Sequence, residues 1–232
     1  MWNKMEKGKF IVIEGVDGCG KSTQMSLLTE EFSRIGTECR YIHFPMLNQG
    51  VYGTLVAEFL RGEYGSIEQV HPKLVALLFA NDRMEHIQTI NDWLNSGYVV
   101  LADRYVYSNI AYQCAKLSSS REKESLKKWI LDYEFNHNQL PKPDCSFFLN
   151  VPFEFVRKTL TANRSGDDRD YLNGRTDIHE QSMDFQRQVY NEYMDLLNER
   201  PQFIDIPCAN EQGDFLPKED IHQKMMDYLT KK

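Results

Sequence analysis

The sequence predicts an α/β fold: a parallel five-stranded sheet flanked by helices in three layers, α/β/α. Three observations carry that expectation. Short apolar runs alternate with helical periodicities along the whole chain. The runs are nearly continuous rather than alternating, the pattern of strands buried on both faces. The first of them ends in a glycine-rich segment that opens a helix.

Taken in order, Lys9–Glu14 is the first buried strand and ends at Gly15. A helix starts near Lys21, and Arg40–Phe44 is a weaker strand. Leu74, Leu77, Leu78, Met84, Ile87 and Ile90 recur at three- and four-residue steps, which predicts one apolar helix face over several turns. Tyr98–Ala102 and Cys145–Leu149 repeat the strand pattern, and Pro152 suits the first turn of the helix that follows. Phe185, Val189, Leu196 and Leu197 give a further helix, Gln202–Ile206 a last strand, and Ile221, Met225 and Leu229 a last helix. Between them, Thr161–Arg175 is polar, glycine-containing and carries three arginines. It reads either as a solvated loop or as a mobile lid.

A length of 232 residues is compatible with one domain spanning 1–232, with residues 161–176 as an embedded lid segment. Hydrophobic residues at 41 % and charged residues at 26 % argue against a disordered chain. A net charge of −7 makes long nucleic acid and anionic membrane surfaces poor partners, while leaving room for a small anionic ligand met by local donors. Five scattered cysteines with no Cys-x-x-Cys pair suggest neither zinc nor disulfides and fit a reducing compartment. No apolar stretch approaches a membrane span or signal core, so the expected location is cytoplasmic.

Gly15-Val16-Asp17-Gly18-Cys19-Gly20-Lys21-Ser22 matches the phosphate-loop pattern G-x-x-x-x-G-K-S/T. Glycines let the backbone approach phosphates so that successive N–H groups point inward, and the helix that follows aims its positive end at the same place. Lys21 is then placed to neutralise β/γ-phosphates and Ser22 to ligate Mg²⁺. Asp103 and Arg104 follow directly on a strand, where an acidic side chain faces the same crevice and can act on Mg²⁺ or its water shell.

Beyond the loop, Phe44-Pro45, Leu78–Arg83, Asp103-Arg104-Tyr105, Ser108-Asn109 with Ala111-Tyr112, and Leu140–Asp144 occur in the order found in thymidylate kinases. The chain therefore resembles that family of phosphate-loop nucleoside monophosphate kinases over nearly its whole length. The resemblance implies transfer of the γ-phosphoryl of ATP to dTMP with Mg²⁺, and a homodimer packed through helices. It implies that Gly15, Gly18, Cys19, Gly20, Lys21, Ser22 and Thr23 bind the donor phosphates, with Ser22 and Asp103 at the metal. Phe79 would stack on thymine, and Arg83 and Asn109 would bond its edge. Tyr112 would lie under the deoxyribose, Asp17 would contact the sugar hydroxyl, and Arg104 would hold the acceptor phosphate. Phe44, Pro45 and Ser108 complete the acceptor site. Phe79 and Tyr112 also read as packed core aromatics, and geometry separates the two.

Two departures bear on the site. The family usually places a basic residue soon after the Phe-Pro pair, and here Met46-Leu47-Asn48-Gln49 follows. Gly18 stands where some members carry a loop arginine, so the resemblance is to members whose lid supplies the catalytic arginine. Arg164, Arg169 and Arg175 fit, with Arg157 and Lys158 at the base and Glu180 as a functional acid; Arg164 is the favoured choice. Lys21, Arg104 and Arg164 are thus the expected catalytic cations. The alternatives are another nucleotide or deoxynucleoside kinase on this scaffold, a GTP-dependent switch, or a nucleotide-binding scaffold without chemistry. The switch lacks its Asn-Lys-x-Asp element, since Asn136-His137-Asn138-Gln139 does not fit it.

Overall fold

The computed structural model describes residues 7–47, 49–161, 172, 177–179 and 182–230. Five strands, β1 (Lys9–Glu14), β2 (Cys39–His43), β3 (Val99–Asp103), β4 (Cys145–Asn150) and β5 (Phe203–Pro207), form one sheet in the order β2-β3-β1-β4-β5. All neighbouring pairs are parallel. The central strands β1, β3 and β4 are buried along almost their whole length, whereas the edges β2 and β5 are half exposed. That contrast is what continuous apolar runs in the centre and weaker ones at the rims encode.

The helices are α1 (Lys21–Arg34), α2 (Gly50–Leu60), α3 (Pro72–Glu85), α4 (Ile87–Asn95), α5 (Val106–Cys114), α6 (Ser120–Asp132), α7 (Phe153–Thr161), α8 (Met183–Glu199) and α9 (Lys218–Thr230). A π-helical turn, Tyr133–His137, extends α6. Helix α5 packs against α3, α6 and α8, and α1 packs against α9. Ser119 and Ser182 accept the Glu122 and Phe185 backbone N–H groups and so cap α6 and α8. Pro152 stands one residue ahead of α7, its carbonyl accepting the first helical bonds from Phe155 and Val156. Asp144 locks β4 to β1 by accepting the Phe10 N–H at 2.7 Å while its own N–H donates to the Phe10 carbonyl.

One expectation requires correction. The single apolar face from Leu74 to Ile90 is broken at His86 into α3 and α4, and Leu74 is 59 % and Met84 37 % exposed. The inward face of α3 carries Val75, Ala76, Ala80, Asn81, Asp82 and Arg83 instead. Polar groups can be buried there because each finds a partner: Asn81 the Tyr133 hydroxyl, Asp82 the Met46 N–H, Arg83 the Glu134 carboxylate. Of the periodic residues, Leu74 and Met84 face outward, whereas Leu78, Ile87 and Ile90 pack inward. No helix of the described residues is long and apolar enough to cross a membrane.

Phe147 on β4 is fully buried and meets Tyr228 of α9 edge-on, with ring centroids 5.5 Å apart. Phe147→Ala is expected to lower the unfolding free energy by about 3–5 kcal/mol, read from urea denaturation; a loss below about 1 kcal/mol contradicts this packing.

Candidate active site

The phosphate loop connects the carboxyl end of β1 to α1. Gly18 and Gly20 adopt φ of 75° and 92°, left-handed values that a side chain resists, and Gly20 caps α1. The first turn of α1 has neither a side-chain cap bond nor an acidic residue, so its positive end is not neutralised by the loop. Lys21 folds over the loop, its Nζ donating to the carbonyls of Gly15 at 3.2 Å and Val16 at 3.1 Å. Gly18, Gly20, Lys21, Ser22 and Thr23 line a cavity of about 610 Å³. Gly15 and Cys19 stand behind that wall, with the Cys19 N–H turned to the Val16 carbonyl.

The same cavity continues to the carboxyl end of β3. Asp103 is buried there; its Oδ2 lies 3.4 Å from His43 Nδ1, and its Oδ1 has no hydrogen-bond partner among the described residues. Burial acts to raise the Asp103 pKa, but the His43 bond and the charge of Lys21 hold it below the usual carboxylate value. Arg104 takes a left-handed φ of 66°, unusual for a residue with a side chain. That conformation is over-determined: its N–H donates to Ile13 O at 2.9 Å, and its guanidinium bonds Asp17 at 2.6 Å, Gly15 O at 3.0 Å and Tyr112 Oη at 3.2 Å. Asp17 also accepts from Tyr112 Oη at 2.7 Å and Gln186 Nε2 at 3.0 Å. Burial opposes its ionisation, yet Arg104 and Lys21 keep its carboxyl far below the usual range.

Behind this turn sits Glu14, fully buried at the end of β1. Its carboxylate accepts the backbone N–H of Tyr105 at 3.0 Å and of Ser108 at 3.2 Å, and the Ser108 and Tyr193 hydroxyls. It thus serves the open N-terminus of α5 from a different strand. Burial raises its pKa against the pull of Ser108 and Arg104.

At the far end of the cavity, the cis Phe44–Pro45 bond, Phe79, Arg83, Ser108, Asn109, Tyr112 and Gln113 form the wall. Phe79 is half-buried, packed on a small core of Val56, Phe59, Leu60 and Val75, and also lines the cavity. Tyr112 is likewise buried but keeps its hydroxyl on Asp17 and its ring 5.1 Å from the Arg104 guanidinium. Arg83 pairs with Glu134 through two bonds of 2.6 and 2.7 Å. His179 closes the pocket, nearly parallel to Phe79 at 6.3 Å and 5.1 Å from Tyr112; burial and nearby Lys116 keep it neutral by pushing its pKa well down.

The residues expected from the sequence thus converge, from Asp17 through Thr23 on one side to Tyr112 on the other. Arg164, Arg169, Arg175 and Glu180 lie outside the described residues, as does most of the expected lid; Arg157 at its base pairs with Glu154 at 3.0 Å. Sequence reasoning missed Glu14, Gln113, Glu134, His179 and Gln186. Only Gln113, one residue after Tyr112 on the same helix, carried a usable signal.

A parallel sheet with a phosphate loop after its central strand, and one cleft running from that loop to an aromatic pocket, defines a phosphate-loop nucleotide kinase. The family model for thymidylate kinase matches residues 13–216. The thymidylate kinase of Plasmodium falciparum is 33% identical over 232 residues, covering 100% of this chain and 94% of that one. A probable thymidylate kinase of Methanocaldococcus jannaschii is 31% identical, with 97% of each chain covered. The solved thymidylate kinase of Candida albicans superimposes with a TM-score of 0.72 at 26% identity, over 97% of this chain and 92% of that one. The chain belongs to the thymidylate kinase family.

Lys116, just after α5, has its Nζ buried without a hydrogen bond among the described residues, 4.9 Å from the centroid of the Phe59 ring, and burial pushes its pKa down to about 7. In the unfolded chain the value is about 10.4. Below the folded value both states carry the proton, so the penalty is constant. Above it the unfolded chain binds more protons, and stability rises with pH. Lys116→Met should therefore be more stable than wild type at about pH 6, with the gap closing towards about pH 10 in urea titrations. A gap independent of pH contradicts a neutral buried Lys116.

Proposed function

We propose that the cleft transfers the γ-phosphoryl of ATP to the 5′-phosphate of dTMP, giving ADP and dTDP. The observation that carries this reading is the Asp17–Arg104 pair of 2.6 Å. It ties the phosphate loop to the acceptor pocket within one cavity, so that two anionic nucleotides meet end to end beside fixed cations. ATP phosphates lie along the loop backbone and the α1 N-terminus, with Lys21 leaving its carbonyls to meet them. Arg104 receives the acceptor phosphate. Among the described residues lining the cavity, Lys21, Arg83 and Arg104 are the lysines and arginines, and no cation from Met46 or Leu47 assists. Asp17 receives the sugar hydroxyl, Tyr112 fills the space below C2′, and Phe79 carries the base.

Mg²⁺ fits the same place. Asp103 Oδ1 is a buried acceptor without a partner among the described residues, and Ser22 offers a hydroxyl, both hard oxygen donors. No group of three or more His, Cys, Asp or Glu among the described residues could hold a metal alone, so phosphate oxygens complete the set. When bound, the ion neutralises charge on the transferring group. The chain's residues do the rest: Lys21 and Arg104 fix the phosphates in line, and a lid arginine, Arg164, meets charge that develops during transfer. The exposed outer face of α3, with Leu74 and Met84, is the surface through which a homodimer forms.

The test is ADP release measured with dTMP, dUMP, dCMP, AMP and thymidine in turn. dTMP is expected to give the highest kcat/KM, and equal or higher turnover of AMP or thymidine overturns the reading. Lys21→Ala should lower kcat at least about 10²-fold with the fold intact. Phe79→Ala should raise the KM for dTMP far more than that for ATP.

The lid assignment has its own measurement. Single-turnover transfer by Arg164→Ala is expected to fall by ~10³-fold with ATP affinity little changed. Near-normal rates in Arg157→Ala, Arg164→Ala, Arg169→Ala and Arg175→Ala would leave Lys21 and Arg104 to meet the charge.

A further inference from the structure

Three side-chain donors converge on one carboxylate behind the base pocket. Arg83 gives Glu134 its Nε at 2.6 Å and its Nη2 at 2.7 Å, and Asn109 Nδ2 donates to the same Glu134 at 2.9 Å. The second Nδ2 proton of Asn109 goes to the Ala76 carbonyl at 3.0 Å. Glu134 has no exposed surface and sits on the π-helical turn, where the widened backbone lets it reach inward. An amide with both protons committed to acceptors cannot turn over, because its carbonyl would then face a carboxylate and a carbonyl. The atom left for the cavity is Asn109 Oδ1, which is buried and without a partner among the described residues. Arg83 lines the same wall, with Nη1 outside its pair with Glu134. Gln113 nearby has neither amide atom bonded within the described residues, so it imposes no polarity of its own.

A fixed acceptor beside a fixed donor complements an N–H beside a carbonyl. That is the N3–O4 edge of thymine or uracil. Cytosine presents a ring acceptor and an amine donor there, so like meets like on both atoms. We propose that Glu134 is a positioning residue which, through Asn109 and Arg83, sets the hydrogen-bond polarity of the base pocket. It thereby selects 4-oxo over 4-amino pyrimidine nucleotides. This rests on the thymidylate reading above and names what enforces its base choice.

Glu134→Gln replaces one acceptor oxygen by a donor. Of the two acceptors that hold Asn109, only the Ala76 carbonyl then still opposes an orientation with Oδ1 on the new amide and Nδ2 towards the cavity, so that orientation becomes populated. The expected result is a fall of at least about tenfold in the dTMP-to-dCMP ratio of kcat/KM, with dCMP turnover rising in absolute terms and the KM for ATP unchanged. Glu134→Asp, which keeps the charge and both oxygens, should retain the preference. Parallel losses for dTMP and dCMP in a folded Glu134→Gln enzyme assign Glu134 a purely structural role and overturn the proposal. Should that variant fail to fold, the unaltered protein still answers: both Asn109 Nδ2 protons should exchange slowly with solvent by NMR, and rapid exchange overturns the proposal. A wild-type enzyme that does not turn over dTMP defeats the thymidylate reading and this one with it. Normal wild-type turnover with an unchanged ratio in Glu134→Gln defeats this one alone.

Discussion

A buried carboxylate at the end of the central strand holds the site in shape. Glu14 accepts two backbone N–H groups from the start of α5 and two hydroxyls, from Ser108 and from Tyr193 on α8. A carboxylate buried without such donors would be prohibitive, so these elements must arrive together. Their arrival forces the chain to turn sharply after Asp103, and Arg104 takes the left-handed conformation that throws its guanidinium back over the phosphate loop. The Asp17–Arg104 bridge, the Tyr112 hydroxyl and the Gln186 amide all follow from that one turn. Remove the acceptor at Glu14 and the loop and pocket lose their common reference.

The charges of the cleft are arranged locally, against the net charge of the chain. With −7 overall, attraction of nucleotides cannot come from the global field. Under the proposed function it comes from local cations already held by neighbouring acceptors. Arg104 rests on Asp17 and needs no ordering at the moment of binding, whereas Lys21 is kept beside the loop by two carbonyls that phosphate oxygens would replace. Arg83 is different in kind. Its full pairing with Glu134 spends its charge on structure, and what remains for a ligand is direction.

Strands and phosphate loop were legible because each is a local pattern: an unbroken apolar run, or glycines and a lysine at fixed spacing. Leu74 and Met84 on α3 were equally visible and misled, since periodicity reports an apolar face without saying which of its members point outward. Glu134 and Glu14 could not be found this way. Glu134 meets Arg83 across 51 residues, and Glu14 meets Tyr193 across 179. In sequence the first is one more acid on a charged helix, and the second is the polar end of a strand. Only the packing that removes water from them turns them into organising groups. His179 and Gln186 join the site by the same long-range route, through Tyr112 and Asp17.

The sheet order also governs how the chain is made. β1 leaves the ribosome first, yet Lys9 pairs with Val99 and Ile11 with Cys145, so its two neighbours lie 99 − 9 = 90 and 145 − 11 = 134 residues downstream. At about 5–20 residues per second, this strand waits roughly 5–18 s for its first partner. During that interval Phe10, Ile11, Val12 and Ile13, all buried in the finished protein, have no sheet to enter. The nascent chain therefore passes through a stage in which its future centre is its stickiest exposed surface. Yield at high expression should depend on whatever shields that strand until β3 emerges.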